Sequence, residues 1–153
     1  MFGVNSEEWI KEIKIFEELV KKITELSNKR SYTVISADHG LTNVPKENRF
    51  HITYNENVNI YGDQRSVYIN GSKKEIIKVF SKVPGQLIDR SELNYLLPVP
   101  ENDFIESLYP DYCFLVEDKN IIYPHHLKTE LAGYHGGLST EEIKIPIIEI
   151  SNF

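Results

Sequence analysis

At 153 residues, 41% hydrophobic and 26% charged, the chain has the size and composition of one globular domain with a real core. Its net charge of −6 argues against a broad nucleic-acid surface, which needs a basic face, although bound divalent cations could make one local site positive. No apolar run reaches the roughly 20 residues of a membrane span, and a single cysteine, Cys113, makes the cytoplasm the expected compartment.

Residues 5–28 carry Trp9, Ile13, Phe16, Val20 and Ile23 at three- and four-residue intervals, widened by Leu19 and Leu26. That spacing predicts an amphipathic helix with its stripe on the core, capped by Asn5 with Glu8 three residues on. SYTVISA (31–37) predicts a strand, and RFHITYN (49–55) and QRSVYING (64–71) predict two more. Ser72 with Glu75 forms a capping-box pattern opening a helix through Val83, which Pro84-Gly85 ends. Short helical patches follow at 89–96 and 101–108. DYCFLVEDKNIIYP (111–124) reads as a hairpin turning at Glu117-Asp118-Lys119-Asn120, and IKIPIIEIS (143–151) as a last strand, with Pro146 suggesting an edge position or a bulge. Interleaved strands and helices give an α/β class, a mixed sheet flanked by helices, in a single domain over 1–153.

Two short runs carry chemistry. In VISADHGLT, a continuing strand would send Asp38 and His39 to opposite faces, so the chain must turn near His39 if both are to serve one site. Gly40 permits such a turn, and carboxyl ends of strands are where α/β sheets place their sites. An aspartate oxygen beside a neutral imidazole nitrogen suits zinc or manganese; an ordinary aspartate turn is the alternative. In GYHGGLSTEE, His135 lies among Gly133, Gly136 and Gly137, and Ser139 with Glu142 forms a second capping-box pattern. The glycine loop and helix start are similar to an anion cradle, with a plain turn as the alternative.

The remaining candidates have simpler roles. His125-His126 read as a solvated loop pair, with ligation as the alternative, and His51 as a packed or cross-strand residue. Lys46, Arg49 and Arg65 could contact a phosphate group but are expected to be solvated. Ser139 is explained by capping and not by nucleophilic chemistry.

Taken together, TVISADHG and HGGLSTEEIKIPII resemble the alkaline phosphatase superfamily of metal-dependent phosphate and sulfate ester hydrolases. The second run is most similar to PglZ-type domains within it, and the likeness extends from the first helix to the last strand. The resemblance implies the C-terminal portion of an alkaline-phosphatase-like core. It implies two divalent metals, zinc or manganese, with Asp38 and His39 on the ion that also holds the nucleophile. His135 would bind the second ion, which activates water. Such a pair, about 3.5–4 Å apart, stabilises the attacking and leaving oxygens of an in-line displacement.

In that superfamily an aspartate-bearing strand, a serine or threonine nucleophile at a helix start, and an Asp-x-x-x-His element come before the DHG strand. Here only the first helix precedes it, and no Asp-x-x-x-His occurs; Asp118 and His125 are seven apart. The chain is therefore expected to be an incomplete phosphatase or phosphodiesterase domain that does not turn over alone. Its parent would act on a phosphorylated small molecule or nucleotide ester. Two other readings stay open: a non-catalytic PglZ-type regulatory or interaction module that has lost its metal centre, and a cofactor-independent phosphoglycerate mutase. A missing half-sheet would leave an apolar edge exposed, so a homo-oligomer formed through that edge is expected.

Overall fold

The computed structural model describes residues 2–27, 31–124 and 131–152. Its first half runs α1 (Glu7–Leu26), β1 (Ser31–Ser36), β2 (Thr42–Asn43), β3 (Arg49–Ile52), β4 (Val58–Gly62), β5 (Ser66–Gly71) and α2 (Lys73–Phe80). The second half runs β6 (Gly85–Asp89), α3 (Arg90–Leu93), α4 (Asp103–Leu108), β7 (Tyr112–Val116), β8 (Ile121–Pro124), β9 (Gly133–Tyr134), α5 (Thr140–Ile143) and β10 (Ile147–Asn152). Both kinds of strand pairing occur, so the α/β class with mixed pairing holds. Among the described residues β3–β8 is parallel and the other pairs are antiparallel.

The main core lies between α2 and a four-stranded sheet of order β4-β5-β7-β6. Ile69 from β5, Ile76 from α2 and Ile122 from β8 are wholly buried in it, with Phe80 stacked on Phe114 at 4.6 Å between centroids. Strand β4 falls in the asparagine-rich run ENVNIYGD, which lacks a clear alternating pattern, and sequence reading missed it.

The expected hairpin over 111–124 does not form. Both edges of β7 are taken, by β5 and β6, and β8 instead runs beside β3. Apolar residues on both faces explain this. Ile121 and Ile122 are each fully buried but in different clusters, Ile121 joining Val44, Tyr123 and Tyr134 in a second core. A solvated hairpin could not bury both.

The first helix forms, but Ser6 caps it in place of Asn5, accepting from the Trp9 N–H at 3.2 Å. The larger correction concerns its stripe. No residue of α1 is buried, and Phe16 and Leu19 are 42% and 52% exposed. The helix has a core-facing pattern, yet Trp9, Val20 and Ile23 are only half-buried and its other large apolar residues stay open.

A separate antiparallel pair joins β1 with β10, in the register Ser36 to Ile147. Pro146 sits just before β10 begins, where it removes no ladder hydrogen bond.

Candidate metal and phosphate site

Strand β1 ends at Ser36, and the chain bends at Asp38 before β2 starts at Thr42. Asp38 and His39 therefore lie beyond the pleat that would have separated them. The Asp38 Oδ1 accepts from the His39 N–H at 3.0 Å, and Asp38 Oδ2 lies 3.7 Å from His39 Nε2. His39 Nδ1 is 2.8 Å from the carbonyl oxygen of Gly40. A carbonyl can only accept, so Nδ1 donates in this bond and Nε2 is the ring nitrogen left on the Asp38 side.

His135 arrives from far along the sequence. Thr42 of β2 pairs with Tyr134 of β9, both buried, so the residue after Tyr134 is delivered beside the residues before Thr42. The His39 and His135 rings stack, with centroids 3.7 Å apart and planes 15° from parallel. Asp38, His39 and His135 thus meet in one place. A ladder of two residue pairs was too short to be seen in the sequence.

The glycines have a different purpose from the one the sequence suggested. Gly40 does not adopt a positive φ; the need there is clearance, because a Cβ would lie 1.9 Å from the Glu141 carbonyl oxygen. Gly136 does require a positive φ, at 97°.

Beneath the site lies a group that sequence reading misplaced. Arg65, expected to be solvated, is 1% exposed and forms a two-pronged pair with Glu142: Nε to Oε1 at 2.6 Å and Nη2 to Oε2 at 2.9 Å. Its other donations go to the Asn120 carbonyl at 2.6 Å and the Asp118 carbonyl at 2.8 Å. Glu142, expected to close a capping box on α5, instead turns inward and accepts the Gly137 N–H at 2.8 Å. The glycine loop is an anion cradle whose anion is this internal carboxylate. Burial pushes the Glu142 carboxyl up, but Arg65, the Ser139 hydroxyl and the Gly137 N–H together outweigh it and hold the group below its usual range.

The other candidates are structural. Arg49 donates to the Leu131 carbonyl at 2.7 Å and lies over the Tyr134 ring. His51 pairs across the β3–β8 ladder with Tyr123, their rings 5.2 Å apart. Lys46 is exposed at the start of a short 3-10 turn. His125 and His126 lie outside the described residues. A shallow cleft of about 480 Å3 beside Arg65 is lined by Gln86, Leu115, Leu138 and Ser139 among others, but by none of Asp38, His39 and His135.

The donor set can be tested against a metal. Two ligand atoms on one zinc, each at about 2.0–2.2 Å, lie about 3.4 Å apart in a tetrahedral site. Asp38 Oδ2 and His39 Nε2, at 3.7 Å, lie slightly wider than that span. The bond from Nδ1–H to a backbone carbonyl is the orienting partner that a ligating imidazole usually has. Among the described residues no cluster of three or more His, Cys, Asp or Glu side chains is arranged to hold an ion. Asp38 and His39 together therefore offer two donors to an ion, with no third arranged beside them among the described residues.

No protein-family model and no curated protein matches the chain. Solved structures do. Murine ectonucleotide pyrophosphatase/phosphodiesterase 5 superposes with a TM-score of 0.70 at 15% identity, over 97% of this chain and 42% of that one. An inactive form of the murine protein in complex with AMP gives 0.70 at 14% identity, with the same coverage. Phosphonoacetate hydrolase from Sinorhizobium meliloti 1021, in complex with phosphonoacetate, gives 0.70 at 14% identity, over 98% of this chain and 42% of that one. The chain carries part of an alkaline-phosphatase-like fold. It spans about two-fifths of the length of these proteins, and at such identities the likeness is one of fold. No helix among the described residues is long and apolar enough to cross a membrane.

Proposed function

We propose that this chain supplies Asp38, His39 and His135 to the two-metal site of a phosphoester hydrolase of the alkaline phosphatase superfamily, in its PglZ-type branch. The observation that carries the reading is the stacking of His39 on His135, two imidazoles distant in sequence brought together at the carboxyl end of β1. Asp38 Oδ2 and His39 Nε2 would hold one ion, and His135 the other. Zinc or manganese bound there would supply charge to stabilise the transferring phosphoryl oxygens and lower the pKa of an attacking hydroxyl or water.

The chain's own residues hold and orient. The Gly40 carbonyl orients the His39 ring, and β2–β9 delivers His135. The two-fifths coverage of the fold favours the rest of the site lying on other parts of a complete domain. The substrate class is a phosphorylated small molecule or nucleotide ester, favoured by the AMP and phosphonoacetate held by proteins of this fold. The reading carries a cytoplasmic setting, in keeping with a single cysteine, Cys113, that is buried. The apolar residues exposed on α1 and on β1, including Leu19 and Val34, favour self-association of the chain.

Zinc titration by calorimetry tests the site. His39→Ala and His135→Ala should each weaken binding by at least about tenfold while the fold persists. Unchanged affinity in both variants would sink the proposal. Sedimentation velocity over a wide concentration range tests the assembly: a concentration-dependent dimer that Leu19→Lys disperses is the expected result.

A further inference from the structure

The β2–β9 ladder has only two residue pairs, and two such pairs alone are a weak basis for holding two loops in register. A second joint is present. The Gly40 N–H, next to His39, donates to the Glu142 carbonyl at 2.8 Å. The Gly137 N–H, two residues after His135, donates to the Glu142 carboxylate at 2.8 Å. One residue therefore grips both histidine loops, one through its backbone and the other through its side chain. Arg65 grips that residue in turn by two bonds and is itself held by the carbonyls of Asp118 and Asn120.

We propose that Glu142, clamped by Arg65, is the positioning residue that fixes the two histidine loops against each other and so sets the stacking of His39 on His135. The glycines support the assignment. A Cβ on Gly137 would lie 2.7 Å from Arg65 Nε and 2.9 Å from Glu142 Oε2, and one on Gly40 would strike the Glu141 carbonyl. Each loop carries a glycine at the point where it closes on this joint. The pair is anchored outside the site as well, because Arg65 begins the path into β5 and the main sheet. Rigidity thus passes from the four-stranded core to a surface pair of imidazoles. Glu142 acts through the loops and touches neither ring in any described contact. The inference rests on reading His39 and His135 as partners in one site, but it concerns their placement before any ion binds.

The test is nuclear magnetic resonance on the chain without added metal. The native chain should show a cross-relaxation signal between the two imidazoles, and the Gly40 and Gly137 amides should be protected together. In Glu142→Gln, the carboxamide must turn a donor toward Arg65 or Gly137, which both need acceptors; Arg65→Lys keeps the charge but loses the fork. With the amide pattern of the main sheet native, both variants should lose the inter-ring signal, shift both ring resonances, and exchange Gly40 and Gly137 about tenfold faster. A purely structural role would lower the melting temperature and leave the rings of the folded variants unmoved, and that result overturns the proposal. Should both variants unfold, the native chain decides: unprotected or independently exchanging Gly40 and Gly137 amides refute the joint, and common protection supports it. Failure to bind zinc would leave all of these readouts intact, so the two proposals fail separately.

Discussion

Two regions of this molecule treat apolar residues in opposite ways. Around β5 and α2, Ile69 and Ile76 are completely enclosed, and every strand of the four-stranded sheet has its partners inside the chain. Along α1 and the β1–β10 pair, a comparable run of large apolar residues stays open, with Tyr32 and Val34 on one face of β1 at 59% and 52% exposure. Residue type does not distinguish the two, since both are rich in isoleucine, valine and aromatics. What differs is how far the described elements enclose them. The candidate site sits on the boundary, reached from the open side by β1 and fastened from the closed side through Arg65.

That contrast can be broken by mutation, beginning where the effect should be greatest. Replacing Glu142 with Ala leaves the buried Arg65 charge without its partner and should destabilise the chain by about 3–5 kcal/mol, measured by urea unfolding. Next comes Ile69→Ala in the closed region, expected to cost about 2–5 kcal/mol because a fully buried side chain leaves a cavity. A cost near zero would mean the main sheet is not the stable unit.

Acid gives an intermediate effect with a defined sign. The Glu142 carboxyl lies below its ordinary value of 4.5 in the folded chain. Its contribution is therefore fully present above that value and is lost as the pH falls through the lower, folded one. Stability measured against pH should drop on the acid side of 4.5, and Glu142→Gln should flatten that drop. Leu19→Ala on α1, by contrast, should change stability by less than about 0.5 kcal/mol in the monomeric chain. A loss comparable to that of Ile69→Ala would show the helix face to be covered after all.

The smallest effect is chemical. Burial pushes the Cys113 thiol up to about 11, so an alkylating reagent should modify it at neutral pH only as the chain opens. Its modification rate then tracks unfolding of the closed region, and Leu19→Ala should leave that rate unchanged.

Much of this was legible beforehand. The period of α1, the β-branched run of β1, the strand starting at Ser66 and the helix after Ser72 are local signals, and each element formed within a few residues of its expected place. Asp38, His39 and His135 could be named because glycine-flanked histidines and a strand-end aspartate are visible in a line of text. What stayed hidden depended on partners far away in sequence. The helix stripe announced a core that the described chain does not close, and the hairpin over 111–124 obeyed local turn chemistry until β5 and β6 claimed both edges of β7. Arg65 looked like a solvated charge and Glu142 like the far end of a capping box, because nothing local says that a cation and an anion will be buried together.

The sequence by itself settled the longer, strongly patterned elements, such as α1, β1, β5 and α2, and the chemical types at the candidate site, since both follow from short-range periodicity and side-chain identity. Only the tertiary structure decided which strands pair, which apolar face is covered and which carboxylate holds the histidine loops. Those outcomes depend on contacts between segments distant along the chain, where packing and charge burial outweigh local preference.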